Sequence, residues 1–347
     1  MSTNYAAFLA GHKKKPLSVR EAEDRYADEN EIVIKNAAVA MNQLDWKMQD
    51  TPWAMFKYPL ILGVDVAGEV VEVGSDVTRF SIGDRVLGHA LSFITEDERH
   101  GGFQNYTVLF SNMASPIPPS LPFESAAVLP LGVSTASAAL FHEDGLALPK
   151  PSLNPTKTST TVLIWGGTSS VGSNAIQLAV AAGCDVIVTA SPRNFAAAKR
   201  LGADHVVDYN DASVIDKLKE AFRGKKLAGA LDAIGTEKTF KQTAEAVSQV
   251  DGVKTVTSTI DDLEDAWVPP GVTGKAILAV SIRGLEGEDM DKNVGKMVYE
   301  DFLPDALKAG RYSIAPDPLV AGKGLGAIQD ALETSKRTPG KKVVVSI

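Results

Sequence analysis

Apolar positions along the chain change their period twice. Over the first third they alternate. Ile32 to Ala40 has strand character, and Gly63-Val64-Asp65-Val66-Ala67-Gly68-Glu69-Val70-Val71-Glu72-Val73-Gly74 sets apolar residues against small or acidic ones before a glycine turn. A second turn signal, Gly83-Asp84-Arg85-Val86, follows. Many short strands punctuated by Gly and Pro predict a barrel or a folded sheet. From about residue 121 the pattern turns helical. Pro122 to Leu129 begins a helical stretch, and Ser134 to Phe141 is small and apolar enough for a buried helix. Leu148 to Ser159, with Pro149, Pro151 and Pro155, reads as an exposed loop.

Beyond that loop, short apolar runs alternate with helical ones. Thr161 to Trp165, Asp185 to Ala190, His205 to Asp208 and Leu227 to Ala233 predict strands; Ser173 to Ala182, Phe195 to Leu201 and Ala212 to Phe222 predict helices between them. This alternation predicts a parallel sheet with helices on both faces, the doubly wound α/β type. A helix near Leu325 to Thr334 and a strand at Lys342 to Ile347 close the chain.

Composition narrows the function classes. The 347 residues suggest two domains, and 44% hydrophobic with 22% charged residues is an ordinary globular balance. Lys plus Arg is 35 against Asp plus Glu 43, a net charge of −8, and the only basic run is Lys13-Lys14-Lys15. Nucleic-acid and acidic-membrane partners are therefore not expected. The single cysteine, Cys184, forbids an internal disulfide and any multi-cysteine zinc site. No apolar stretch is read as approaching the ~20 residues of a membrane helix. Ala6 to Ala10 is too short for a secretory core and precedes the basic run, so a soluble cytoplasmic protein is expected.

The most informative segment is Gly166-Gly167-Thr168-Ser169-Ser170-Val171-Gly172, between an apolar strand and a helix. Glycines there let the backbone approach a pyrophosphate, and the helix N-terminus offers N–H groups to the anion. A strict Gly-x-Gly-x-x-Gly would place its middle Gly at 169, where this chain has Ser; an ordinary tight turn is the competing reading. The exit of the next strand, Ser191-Pro192-Arg193-Asn194, lacks the carboxylate that accepts hydrogen bonds from an adenosine ribose. Ser191 and Arg193 instead suit a 2′-phosphate, which favours NADPH; the alternative is an exposed loop arginine.

With these pieces placed, the chain resembles the medium-chain dehydrogenase/reductase superfamily over nearly its whole length. The Gly63–Gly74 segment, Gly83-Asp84-Arg85-Val86, Leu129-Pro130-Leu131-Gly132-Val133-Ser134-Thr135 and the Gly166–Gly172 turn occur in that superfamily's order. Ala40-Met41-Asn42-Gln43-Leu44-Asp45-Trp46-Lys47 looks like the Asn-Pro-x-Asp motif of its quinone-reductase-like and enoyl-reductase members, with Gln43 in place of Pro. Thr51-Pro52-Trp53, Ser191 to Phe195 and the proline-rich linker look like fungal trans-acting enoyl reductases.

The resemblance implies an α/β protein with a GroES-like, β-rich catalytic domain at 1–128, completed by 300–347, and a Rossmann-type NADPH-binding domain at 129–299, with the active site in the cleft between them. Zinc-using members hold their catalytic metal at positions that correspond to Asn42, Val64 and Leu131, none of which is a ligand of the required type, and the histidines at 12, 89, 100, 142 and 205 show no metal spacing. A zinc-independent reduction of a C=C bond in an α,β-unsaturated carbonyl, or of a quinone, is implied.

Lys47 is the first candidate catalytic residue, able to stabilise an enolate, contact the cofactor or donate a proton; a surface lysine paired with Asp45 or Asp50 is the alternative. Thr135, beside the nicotinamide in relatives, is the second, or else a small residue packing a helix. Cofactor contacts implied are Asp45, Trp46, Gly166, Gly167, Thr168, Ser169, Ser170, Val171, Gly172, Ser191, Pro192, Arg193, Asn194, Tyr209, Ile234, Ser258 and Lys336. Of these, Tyr209 and Lys336 match residues near the 2′-phosphate in relatives, or else sit on the rim. Trp53, Met55 and Phe56 either line an apolar substrate mouth or belong to the core. The expected partners are a small unsaturated carbonyl or quinone, or a substrate carried on a polyketide-synthase carrier protein, with the chain a monomer or homodimer. A dinucleotide-binding protein without catalysis is the rival of another class.

Overall fold

A computed structural model describes residues 3–51, 57–284 and 293–347. In chain order it begins with β1 (Tyr5–Leu9), β2 (Ser18–Glu21), β3 (Glu31–Ala40), α1 (Gln43–Asp50), β4 (Leu60–Ile61), β5 (Asp65–Val73) and β6 (Arg85–His89). Next come α2 (Ser92–Thr95), β7 (Tyr106–Phe110), β8 (Ala114–Pro116), α3 (Phe123–Ala126) and α4 (Pro130–Phe141). The alternating stretch holds β9 (Thr161–Trp165), α5 (Ser170–Ala181), β10 (Asp185–Ala190), α6 (Phe195–Arg200), β11 (His205–Asp208) and α7 (Val214–Ala221). It continues with β12 (Leu227–Asp232), α8 (Glu237–Ser248), β13 (Thr255–Ser258) and β14 (Thr273–Ala276), and the chain ends in α9 (Leu303–Lys308), β15 (Pro318–Lys323), α10 (Ile328–Ser335) and β16 (Lys342–Ser346).

These elements form two compact units. One comprises Met1–Leu131, Leu303–Gly310 and Ile314–Ile347; the other comprises Gly132–Phe302 and Arg311–Ser313. The first unit is built on a seven-stranded sheet ordered β15-β16-β3-β5-β6-β8, with β7 also on β3, and a three-stranded sheet β2-β1-β4. β16 joins the N-terminal strands by antiparallel pairing of Val344 with Ala40 and Val345 with Val39. Alternation along β3 and β5 buries Ile32, Ile34, Val39, Val66 and Val70 in a core shared with Phe8, Phe103, Ile328 and Leu332.

The second unit is an all-parallel six-stranded sheet ordered β11-β10-β9-β12-β13-β14. Its central strands are buried on both faces, as their unbroken apolar runs require. α7 and α8 turn Leu218, Phe240, Ala244 and Val247 onto the sheet against Trp165 and Ile187. This is the doubly wound arrangement, and with the GroES-like sheet it makes the chain a mixed α/β protein.

Three local expectations need correction. Helix α1 occupies a stretch for which no element is predicted; it forms because the Asp45 side chain accepts the Asn42 N–H and closes the first turn. α5 begins at Ser170, three residues before its Ala-rich part. The segment Phe123–Phe141 is, by length and composition, apolar enough to cross a membrane, but 78% of it lies buried inside the protein, as in a core helix. Its many Ala and Ser residues disguise that apolar character.

Gly68 sits in β5 where a Cβ would lie 2.1 Å from the Lys35 carbonyl oxygen of β3. Gly68→Ala is therefore expected to destabilise the fold by about 3 kcal/mol or more, read as a lowered melting temperature. A melting curve superimposable on wild type would show that β3 yields freely at this point.

Candidate active site

The glycine-rich turn is held in place by its neighbours. β9 ends at Trp165, and Gly166 takes φ +82°, a conformation a side chain would strain. The Gly166 N–H donates to Thr189 Oγ1 at 3.0 Å and the Gly167 N–H to the Thr189 carbonyl at 2.9 Å, tying the turn to β10. A Cβ on Gly172 would meet the Gly166 carbonyl at 2.2 Å, so only glycine lets helix α5 start this close to the strand.

Ser169 needs no glycine conformation. At φ −70° it caps α5, its Oγ accepting the Gly172 N–H at 3.0 Å. The N–H groups of Ser170 and Val171 have no partner among the described residues, and the buried Ser170 hydroxyl is also without one. Two free amides and a hydroxyl at the N-terminus of a twelve-residue helix form a cradle for an anion, and a dinucleotide pyrophosphate fits that chemistry. Thr168 stands beside the cradle and receives an amide hydrogen bond from Asn194 at 3.2 Å.

The neighbouring strand ends bring the other predicted cofactor residues to the same carboxyl edge. Ala190 of β10 pairs with Asp208 of β11, so Ser191–Asn194 and Tyr209 leave the sheet side by side. Pro192 and Arg193 are exposed, and Tyr209 is 42% exposed at a cavity of about 720 Å³ lined also by Trp165, Ser213, Lys238 and Gln242. On the other side of β9, Asp232 closes β12. Its carboxylate accepts the N–H groups of Ile234 (3.1 Å) and Gly235 (3.3 Å) and the hydroxyls of Ser258 (3.0 Å) and Thr239 (3.1 Å). Burial raises its pKa, while these hydrogen bonds oppose the rise. Ile234 is 44% exposed there, but Ser258 is fully buried, its hydroxyl donating to Asp232 and accepting the Ile260 N–H. Ser258 thereby ties the turn after β13 to Asp232.

Thr135 lies on α4, almost wholly buried. The first turn of this helix reaches α5 at Gly132, where a Cβ would stand 2.6 Å from Asn174 Nδ2 and 2.7 Å from Ser170 Oγ. Behind Thr135, the Ser134 and Tyr299 hydroxyls share a buried hydrogen bond of 2.8 Å. Tyr312 donates to Asn174 Oδ1 at 2.8 Å, its phenol raised well above the ordinary value by burial.

The remaining candidates belong to the other unit. Lys47 is half-buried on α1. Asp50, on the same helix, meets Lys15 (2.8 Å) and Lys336 (2.7 Å). Asp45 is fully buried, with Oδ2 on the Asn42 N–H at 2.7 Å and Oδ1 on the Gly63 N–H at 3.1 Å. Asp45 therefore builds the helix start and has no exposed oxygen for a cofactor. Trp46 is partly buried, with Lys336 5.6 Å from its ring centre. Lys336 is shared between Asp50 and Glu333, so its charge is already countered. Trp53, Met55 and Phe56 lie outside the described residues.

One buried cluster escaped sequence reasoning. Lys342, 5% exposed, meets Asp65 Oδ2 at 2.7 Å and also donates to Asn42 Oδ1. Asn42 Nδ2 donates to the same Asp65 oxygen at 2.9 Å, and Asp65 Oδ1 accepts the Leu131 N–H at 2.6 Å. His89, which pairs with Asp65 across β5 and β6, is fully buried, and burial pushes its imidazole down to about 4. The one available signal was a lysine opening an otherwise apolar last strand.

Comparison with known proteins adds the following. Residues 28–119 match the alcohol dehydrogenase GroES-like domain and residues 170–278 the zinc-binding dehydrogenase family. The chain is 45% identical to the zinc-binding alcohol dehydrogenase domain-containing protein cipB of Emericella nidulans over 345 residues, 99% of this chain and 98% of cipB. It is 40% identical to the trans-enoyl reductase himH of Aspergillus japonicus, over 99% of this chain and 97% of himH. An alcohol dehydrogenase superfamily protein from Novosphingobium aromaticivorans shares the fold with a TM-score of 0.78 at 23% identity, covering 99% of this chain and 100% of that one.

The metal in that second family description has no matching donors here. Val64 and Leu131 carry no ligand atom, and the Asn42 carboxamide is taken up by Lys342 and Asp65. Among the described residues no group of three or more His, Cys, Asp or Glu is placed to hold a metal ion.

The Asp45 carboxyl is pushed up to about 7, first by burial and then by Asp65, against the hydrogen bonds of Asn42 and Gly63 and the Lys342 ammonium. The folded protein therefore binds this proton more tightly than the unfolded chain, whose value is about 4. The stabilisation from Asp45 is full below that unfolded value and is lost as the pH rises through about 7. Compared with Asp45→Asn, wild type is expected to lose stability between about pH 4 and 7 with a limiting slope of about 1.4 kcal/mol per pH unit. Parallel stability curves from denaturant titrations at each pH would place that proton elsewhere.

Proposed function

The chain belongs to the medium-chain dehydrogenase/reductase superfamily of oxidoreductases, and from that premise we propose that it is an NADPH-dependent, zinc-independent reductase of the C=C bond in α,β-unsaturated carbonyl compounds. The observation that carries the cofactor assignment is the carboxyl edge of the parallel sheet. An anion cradle at Ser170 and Val171 stands near a strand exit that offers Ser191 and the exposed Arg193 and no carboxylate. A 2′-phosphate is recognised by such donors, whereas a bare ribose diol is recognised by an acid. The enone assignment is supported by the relative named a trans-enoyl reductase and by the engagement of the Asn42 and Asp65 side chains with Lys342.

When bound, the reduced nicotinamide supplies the two electrons of the reduction. Ser170, Val171 and the capped start of α5 hold the pyrophosphate, and Arg193 with Ser191 holds the 2′-phosphate. The Thr135 hydroxyl orients the carboxamide end of the cofactor or the substrate carbonyl. Reduction at the β-carbon would place negative charge on the carbonyl oxygen; the Lys47 ammonium would stabilise that enolate and donate a proton from Nζ to the α-carbon, the lysine regaining its proton from solvent. A quinone places charge on oxygen in the same way and is the second acceptor class to test.

A second reading is favoured by the himH relationship: the acceptor is an enoyl group on a carrier protein. Pantetheine-linked enoyl thioesters would then be turned over far faster than free enones of the same acyl chain. Tight NADPH binding with no turnover of any acceptor would instead indicate a binding protein.

Titration followed through cofactor fluorescence is expected to show tighter binding of NADPH than NADH, and Arg193→Ala to weaken NADPH by about tenfold to a hundredfold while leaving NADH unchanged. Equal binding of the two cofactors by wild type would overturn the 2′-phosphate assignment. Lys47→Met is expected to lower kcat for enones by about a hundredfold or more without altering NADPH affinity. An unchanged kcat would remove Lys47 from the reaction.

A further inference from the structure

Lys342 opens β16, and the next three residues of that strand, Val343, Val344 and Val345, are buried. An ammonium at such a position is tolerated only with a fixed countercharge and hydrogen-bond acceptors. Both come from far away in sequence. Asp65, the first residue of β5, supplies the charge at 2.7 Å, and Asn42 supplies a carbonyl oxygen. The contacts close on themselves, because Asn42 Nδ2 donates to the same Asp65 oxygen at 2.9 Å. The second Asp65 oxygen is held by the Leu131 N–H at 2.6 Å.

Each anchored residue marks the start of an element. Asn42 is the N-cap of α1, the helix on which Trp46 and Lys47 follow within two turns. Leu131 lies in the first turn of α4, four residues before Thr135. The Asn42 side chain closes a capping box with Asp45 at the start of α1, and its oxygen also accepts from Lys342. The ammonium therefore helps to fix the residue on which the start of α1 is built.

We propose that Lys342 is a positioning residue for the reduction, its buried ammonium fixing Asn42 and Asp65 so that α1 presents Lys47 in a single orientation. The inference rests on the reductase reading for its kinetic consequence but not for its structural one. Deleting the ammonium alone leaves the Asp65 charge unpaired, so misfolding of Lys342→Met says nothing about positioning. The informative protein is Lys342→Met/Asp65→Asn, in which both charges are gone and Asn42 can turn to bond the new carboxamide.

Two measurements on that double variant decide the matter. Amide hydrogen exchange of the peptide covering residues 43–50 is expected to be about tenfold faster than in wild type, with the parallel-sheet peptides unchanged. For an enone, kcat is expected to fall about tenfold or more while NADPH affinity stays within about twofold of wild type. Wild-type exchange in α1, or a wild-type kcat in a protein with normal melting temperature, would overturn the proposal and leave the pair as packing alone. If wild type itself reduces no acceptor, the reductase reading fails, and the exchange measurement still decides whether Lys342 sets α1.

Discussion

A carboxylate with no exposed surface governs the first unit. Asp65 sits where β5 enters the seven-stranded sheet, between β3 and β6, so water cannot reach it. Leaving such a charge unpaired costs several kcal/mol. The unit answers by bringing β16 alongside β3, which delivers Lys342 to Asp65. The C-terminal strand is therefore tied into the fold both by its apolar face and by a charge that the N-terminal strands cannot neutralise. Nearby Asp45 is handled differently: two backbone N–H groups and a partial proton replace a cation.

The parallel-sheet unit uses a third solution to the same problem. Asp232 is buried at the end of β12 without a cation, and four donors, two from the backbone and two hydroxyls, surround it. Those donors come from the turn after β12, from α8 and from β13, so the carboxylate acts as a hub for the edge on which a dinucleotide is bound in folds of this type. In both units the chain spends buried acids on fixing the backbone beside the candidate site rather than on presenting oxygens to a ligand. Asp45 and Ser258, both read from sequence as cofactor contacts, each take part in this fixing of the backbone.

What was legible in the sequence follows from the range of each interaction. The glycine turn, its flanking strand and helix, and the missing acid after β10 are all local, and periodicity and turn chemistry report local structure. The resemblance of ordered motifs extended that reading to both folds. Lys342 was not legible, because its partners lie near the other end of the chain and a lone lysine at a strand start looks like an ordinary solvated end. Helix α1 was missed for a related reason: its short, polar sequence shows little periodicity, and what stabilises it is the reciprocal bonding of Asn42 with Asp45, Asp65 and Lys342.

The same cluster bears on why one fold houses several chemistries. A relative of this chain carries a zinc-binding alcohol dehydrogenase description and another an enoyl reductase name, at nearly the same identity and coverage. Fold therefore cannot choose between them, and the donor set must. Polarising a carbonyl or alcohol oxygen with a metal requires lone pairs directed at one point. Here the lone pairs at that point, on Asn42 and Asp65, are directed at an ammonium, and the other two positions offer only a valine and a leucine. A buried ammonium bound to a carboxylate and a carboxamide holds together the elements that carry them, whereas a catalytic metal keeps a position open for a substrate oxygen. On the reading proposed above, such a frame would suit a reaction in which the cofactor brings the electrons and the protein brings orientation.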